Sequence, residues 1–386
     1  MIIRRNINGL EIEIETTQGN EIYLPENVTH LIKNDGIEGI TDLIYNYSQV
    51  EHMPISVFIE LTDYCNFSCP FCYINEAGME HHKLPKFSKL KATLDFLISK
   101  GMLYCTISGG ECLTHPDFKE IYLYLKKNGV LVSIFTNGYL INQDIMLIFN
   151  QYKPFKVEIS LYGINDSTYR KAVLSPEISS KKIFNNILAM KESGIDVICK
   201  TPITSLTEDS FYSIKEWCNS NNIPFYSGYE LQSTYSGINR DEFLASENIR
   251  SEMQEESEIE FYNDPQIIEL SHSIPSQKRV FDCAGGKTEI FITSRYQIVP
   301  CMKAIGNKDW TFDIANLGIE QAYNRLTSKI FNIKNTPLQY CAGCMYHELC
   351  QECYFTQFDY ENIAQHRKEY CQKLSNFCRK LTDQGT

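Results

Sequence analysis

The chain has 386 residues, 43% of them hydrophobic and 22% charged, enough for one large core with a smaller second unit in a soluble globular protein. A formal charge of −12 lacks the clustered positive field that phosphate binding needs, so no nucleic-acid partner is expected. No apolar run is long enough for a membrane span and the first residues carry no signal-peptide pattern, so the expected location is the cytosol. There, fifteen cysteines point to metal or redox chemistry rather than disulfides.

In chain order, residues 1–50 form a first segment. LEIEIE alternates with the period of a half-buried strand, and NEIYLPENVTHLIKNDGIEGITDLIYNYS predicts a strand and two helices. From Ile55 to about Glu230, strands are predicted near 55–61, 103–108, 130–136, 156–161, 195–202 and 224–229. Helices are predicted near 86–100, 117–128, 142–150, 179–193 and 208–221. This alternation implies parallel strands joined by right-handed crossovers in an open, partial barrel over residues 51–230. An acidic stretch, Asp241 to Glu260, reads as a solvated helix or insert within a linker over 231–280. Residues 281–386 are rich in cysteine.

The first cysteine set, Cys65, Cys69 and Cys72, has the spacing C-x3-C-x2-C. It follows the apolar run Ile55 to Leu61, which places it on a loop at a strand's C-terminal end, where α/β sheets carry their chemistry. Three thiolates can hold three irons of a [4Fe–4S] cube and leave the fourth open to a chelating ligand. A zinc site with a distant fourth ligand is the alternative. Downstream, YCTISGGECLTHPDF places Ser108, Gly109, Gly110 and Glu111 at the next strand's end. VLVSIFTNGYL places Thr136 and Asn137 at the one after. FKVEISLYGINDSTYRKAV ends a strand at Ser160, with Arg170 ten residues on.

CNFSCPFCY resembles the signature of the radical S-adenosylmethionine (SAM) superfamily. The resemblance implies a (β/α)6 partial barrel, a [4Fe–4S] cluster on Cys65, Cys69 and Cys72, and SAM on the open iron. It implies reductive cleavage of SAM to a 5′-deoxyadenosyl radical that removes a hydrogen atom from the substrate. By the same resemblance Phe71 lies on the adenine side, Ser108-Gly109-Gly110-Glu111 receives the methionine ammonium, and Thr136-Asn137 forms a familiar turn. Ser160 would contact the ribose and Arg170 the carboxylate, unless Arg170 is a surface helix arginine. GIDVICKTPIT is similar to the strand that lines the adenine site.

The second set is Cys283, Cys301, Cys341, Cys344, Cys350, Cys353 and Cys371, with the run C-x2-C-x5-C-x2-C inside it. Zinc knuckles share such spacing. Behind a radical SAM loop the set resembles a SPASM domain with two auxiliary [4Fe–4S] clusters. That implies Cys283, Cys301 and Cys353 on the first and Cys341, Cys344, Cys350 and Cys371 on the second, one ligand short on the first. Two departures bear on the ligand assignment: only Gln351 and Glu352 separate Cys350 from Cys353, and Tyr296 stands where the family usually has glycine. Met302 occupies a position where sulfatase-maturing relatives carry an acidic base. Of the other cysteines, Cys105 and Cys199 read as core residues. Cys112 packs or, as an epimerase would require, donates a hydrogen atom.

The fold expectation is therefore an α/β partial (β/α)6 barrel with a small N-terminal α+β segment and a cysteine-rich, SPASM-like C-terminal domain. The functional expectation is a maturase that abstracts hydrogen from a ribosomally synthesised precursor peptide and forms a carbon–carbon or thioether crosslink. The expected reducing partner is a flavodoxin or ferredoxin. The first fifty residues resemble a leader-peptide-binding element, with a lid on the barrel as the other reading. A sulfatase-maturase-like protein oxidase, a peptide epimerase and a non-enzymatic metal-binding scaffold are the alternatives. The sequence names no catalytic base.

Overall fold

A computed structural model of the chain describes residues 1–7, 9–25, 39–40, 43–44, 52–76, 80–253, 283–332 and 355. Two compact units divide the chain, Met1–Ala245 with Gly285–Thr327, and Ser246–Ala284 with Ser328–Thr386. The division differs from the boundaries read in the sequence: residues 285–327 group with the barrel.

The first unit opens with an antiparallel sheet of β1 (Ile2–Ile7), β2 (Leu10–Glu15) and β3 (Glu21–Tyr23), in that order across the sheet. Ile7 pairs with Leu10, and Gly9 takes φ 96°, the positive φ that a two-residue hairpin demands. The strict alternation in β2 sends Leu10, Ile12 and Ile14 inward. They meet Ile55, Leu103, Tyr104 and Leu131, at the N-terminal ends of the barrel strands. Each buried aliphatic side chain contributes roughly 1.5–3 kcal/mol. The two helices expected before residue 50 lie almost wholly outside the described residues.

Polar groups fasten this sheet to the barrel. The Arg5 guanidinium donates to the carbonyls of Met102 (2.6 Å), Ile98 (2.8 Å) and Gly129 (3.2 Å), and burial lowers its pKa to about 10. These carbonyls lie where two barrel helices end, the negative end of the helix dipole. Replacing Arg5 by methionine removes three charge-assisted bonds; Ile98 O keeps its bond from Gly101 N–H (3.1 Å), while the Met102 and Gly129 carbonyls lose this donor. The expected loss of stability is about 3 kcal/mol, read from a urea titration of the wild type and variant.

The barrel sheet contains β4 (Ser56–Glu60), β5 (Tyr104–Ser108), β6 (Leu131–Thr136), β7 (Lys156–Ser160), β8 (Val197–Pro202) and β9 (Phe225–Gly228), all parallel and in chain order. The connecting helices are α1 (Phe87–Ser99), α2 (Phe118–Lys127), α3 (Gln143–Gln151), α4 (Asp166–Val173), α5 (Ser180–Glu192) and α6 (Phe211–Ser220). Five of these six match the sequence reading. The short, polar α4 was not read as an element; it is held by a reciprocal Asn165–Thr168 cap. A further strand, β10 (Glu289–Ile292), pairs in parallel with β4, and β11 (Gln297–Val299) and β12 (Phe312–Asp313) continue antiparallel beyond it. The helix α7 (Ile319–Asn332) follows.

The β10–β11 turn places Tyr296 at φ 58°. This is the left-handed region, where a glycine would be unstrained. The Tyr296 hydroxyl meets Thr93 Oγ1 at 2.7 Å and holds the turn against α1.

Candidate functional site

The concave face of the barrel sheet follows from its aromatic contacts. Phe58 on β4 and Phe135 on β6 flank β5, yet their rings meet edge to face at 5.3 Å. Side chains two strands apart converge so only on a concave face, since adjacent strands stand about 4.8 Å apart. Phe291 on β10 stacks on Phe58 at 4.7 Å, and Lys200 on β8 lies 4.5 Å from the Phe135 ring centre. Lys200 also pairs with Glu158, whose other oxygen pairs with Lys156 at 2.7 Å. Two lysines thus hold one buried carboxylate on this face.

At the C-terminal end of β4 the chain enters the cysteine loop. Cys69 is buried and Cys65 and Cys72 are half-buried. Phe67 N–H lies 3.4 Å from Cys65 Sγ and Asn137 Nδ2 lies 3.8 Å from it. Burial pushes the Cys65 thiol up to about 12, helped by the charge of Glu111, and burial raises Cys69 and Cys72 as well. Such thiols become thiolates only beside a cationic centre. Among the described residues no three His, Cys, Asp or Glu side chains converge on a single metal ion, these three cysteines included.

The glycines after β5 seat this loop. A Cβ on Gly109 would stand 2.3 Å from Thr62 O, and one on Gly110 would stand 2.5 Å from Tyr64 O. Without side chains, Gly110 N–H donates to Thr62 O (2.7 Å) and Glu111 N–H to Tyr64 O (3.0 Å). Glu111 is fully buried. Its carboxylate accepts from Thr136 Oγ1 (2.8 Å), Asn137 N–H (2.8 Å) and Leu113 N–H (3.1 Å). It therefore braces the end of β5 against the Thr136–Asn137 turn, and Asn137 Nδ2 passes the brace to Asn66 at 2.9 Å. The carbonyls of Gly109 and Gly110 accept no hydrogen bond from the described residues and remain available to a ligand ammonium. Carbonyls, glycines and three sulfurs fit SAM on a cysteine-held cluster.

The remaining expected residues fall in three places. Phe71 is buried 5.9 Å from the Tyr162 ring, and Ser160 lies beside the Tyr162 hydroxyl. Ser108 is buried at the end of β5. Arg170 is exposed on α4, paired with Asp166 at 3.5 Å and 3.5 Å from Ile178 O. Its helix meets the cysteine loop at its end, where Ser68 N–H donates to Val173 O at 2.9 Å.

Cys301 is half-buried just after β11, and Cys283 is exposed in the other compact unit. Cys341, Cys344, Cys350, Cys353 and Cys371 lie outside the described residues. Cys112 is fully buried, its thiol 3.4 Å from Phe135 O. The sequence reading missed Glu60, a buried carboxylate beside the loop. A glutamate closing an apolar strand five residues before a cysteine was the available signal.

Residues 59–218 match the Radical SAM superfamily. The antilisterial bacteriocin subtilosin biosynthesis protein AlbA of Bacillus subtilis (strain 168) is 25% identical over 84% of the chain and 72% of its own length. The sporulation killing factor maturation protein SkfB of the same organism is 26% identical over 50% of the chain, which spans about half, 47%, of that relative. Streptococcus suis SuiB, bound to precursor peptide SuiA, shares the fold with TM-score 0.64 and 15% identity, covering 93% of this chain and 96% of that one. No helix among the described residues is long and apolar enough to cross a membrane. The chain is an enzyme that carries a radical SAM domain over residues 59–218.

Proposed function

We propose that this enzyme matures a ribosomally synthesised precursor peptide, forming a carbon–carbon or thioether crosslink. One observation carries the reading beyond the domain: an antiparallel sheet is riveted to the N-terminal ends of the barrel strands, away from the cysteine loop. It is therefore poorly placed as a lid over the chemistry. It has two outer strands, β1 and β3, to which a leader peptide could add as a further strand. The similarity to a bacteriocin biosynthesis protein, a killing-factor maturation protein and a structure with bound precursor peptide supports the same reading.

In this proposal Cys65, Cys69 and Cys72 hold the first [4Fe–4S] cluster. Cys283, Cys301 and Cys353 hold one auxiliary cluster, and Cys341, Cys344, Cys350 and Cys371 the other. When bound, cluster and SAM supply a reductively generated 5′-deoxyadenosyl radical. The chain's own residues do the placing. Gly109 and Gly110 offer carbonyls to the ammonium, Glu111 fixes the turn that carries Asn137, and Phe67, Phe71 and Tyr162 wall the site from water. A flavodoxin or ferredoxin supplies the electron. Met302, half-exposed after Cys301, cannot act as a base, which disfavours sulfatase-maturase-like chemistry.

The test is anaerobic incubation of the reconstituted enzyme, SAM and a reductant with the peptide encoded beside its gene, followed by tandem mass spectrometry. The expected product has lost two hydrogens and resists fragmentation between the joined residues. An unmodified peptide beside continuing SAM cleavage would count against this substrate class while leaving the radical chemistry intact.

A further inference from the structure

At the top of β4, Glu60 is fully buried. Its Oε1 accepts from the hydroxyl of Tyr73, the residue after Cys72, at 2.5 Å. Its Oε2 accepts from the hydroxyl of Tyr235 and from Ser294 N–H at 3.3 Å. One carboxylate thus joins four stretches of chain: β4, the cysteine loop, the strap 229–245 that follows β9, and the turn between β10 and β11. Over the Tyr235 ring, 4.4 Å from its centre, stands the Arg295 guanidinium of that same turn.

Other contacts run along the same seam. Arg240 donates to Asn75 O and, at 3.5 Å, to Cys72 O, and the Ser236 hydroxyl donates to Glu76. Gln232 Nε2 reaches Met302 O at 2.9 Å, and a Cβ on Gly306 would stand 2.7 Å from Tyr235 O. The contacts from Ser236 to Glu76 and from Arg240 to Asn75 O lie toward solvent, and that from Arg240 to Cys72 O is partly buried. Glu60 holds from inside, where low dielectric strengthens its bonds and where an unpartnered carboxylate would be costly.

We propose that Glu60 is a positioning residue: it fastens the strap 229–245 and the β10–β11 turn to the cysteine loop, and through Tyr73 it fixes the chain at Cys72. The inference rests on Cys65, Cys69 and Cys72 holding the cluster, so its test carries one readout that needs no cluster. Hydrogen exchange of the strap is measured in the full chain for wild type, Glu60→Leu, Glu60→Gln, Tyr235→Phe and Tyr73→Phe. Electron paramagnetic resonance of the reduced cluster is recorded for each, with and without SAM.

Tyr235→Phe should speed exchange in 229–245 about tenfold, the loss expected of one bond to a carboxylate. Tyr73→Phe should alter the SAM-dependent change of the cluster spectrum while the strap stays protected. Glu60→Leu should do both, and Glu60→Gln should restore most of the protection. If Glu60→Leu fails to fold, the two tyrosine variants, each lacking a single oxygen, carry the test. Strap exchange within about twofold of wild type in Tyr235→Phe would overturn the clamp. An unaltered cluster spectrum in Tyr73→Phe would overturn its reach to Cys72. A wild type with no cluster signal would instead refute the cluster reading and the reach built on it, with the exchange result still judging the clamp.

Discussion

Gly110→Ala should reduce SAM cleavage about a hundredfold, the penalty of displacing catalytic groups by roughly 1 Å. The added Cβ would lie 2.5 Å from Tyr64 O, 2.7 Å from Tyr64 C and 2.8 Å from Asp63 O. These are backbone atoms of the loop that carries Cys65, so no rotamer change relieves the contact. Either the loop moves outward or the end of β5 moves away from it. The barrel core lies below this junction and should survive, with a stability loss of about 1–3 kcal/mol. Gly109→Ala should be at least as damaging, because its Cβ would stand 2.3 Å from Thr62 O and its φ is +143°. Single-turnover formation of 5′-deoxyadenosine, set against urea unfolding of the same samples, separates the two effects. Cleavage within a few fold of wild type would mean the two loops are not held in register by this contact.

Glu111→Gln should behave as a disruptive change although it preserves shape. The buried carboxylate faces three strong donors, Thr136 Oγ1, Asn137 N–H and Leu113 N–H, and an ionised carboxylate accepts at both oxygens. A glutamine amide must turn its NH2 toward one of these donors, leaving at least one pair unsatisfied at a cost of about 1–3 kcal/mol. Since Asn137 in turn bonds Asn66 in the cysteine loop, the disturbance should pass to the loop. SAM affinity is expected to fall tenfold or more, about the equivalent of one such bond. Isothermal titration of the reconstituted variant with SAM measures it. Wild-type affinity would mean that the brace is purely a folding element.

The barrel was legible because parallel strands buried on both faces write themselves as continuous apolar runs, as in VLVSIFT before Asn137. Each of the six strands and five of the six helices lie within a few residues of their predicted spans. The strand β1 was not read because IIRRNI does not alternate, which left the Asn8-Gly9 dipeptide before LEIEIE as the hairpin signal. The strands β10 to β12 are only two to four residues long, and β10 finds its partner β4 more than two hundred residues away. Neither fact leaves a local pattern.

The site divides in the same way. The cysteines stand in a contiguous motif that their spacing exposed, and Gly109, Gly110 and the Thr136–Asn137 turn stand in motifs that the family resemblance singled out. Glu111 was singled out, yet two of its three donors, Thr136 Oγ1 and Asn137 N–H, lie on the next strand's turn and meet it only on folding. The Glu60 junction gathers residues 60, 73, 235 and 294, and no window of sequence contains it. Arg170, singled out by the resemblance, pairs with Asp166 one turn away on the helix that follows Ser160.

The central claim is that Cys65, Cys69 and Cys72 hold a cluster that cleaves SAM. It is tested most directly by purifying the protein without oxygen, counting iron and sulfide, reducing it and assaying 5′-deoxyadenosine from SAM. The expected result is about twelve irons, four for each of three [4Fe–4S] clusters, with cleavage that vanishes in the combined Cys65→Ala, Cys69→Ala and Cys72→Ala variant. About four irons with cleavage would retain the radical site and remove both auxiliary clusters. Zinc in place of iron, with no cleavage, would contradict the account.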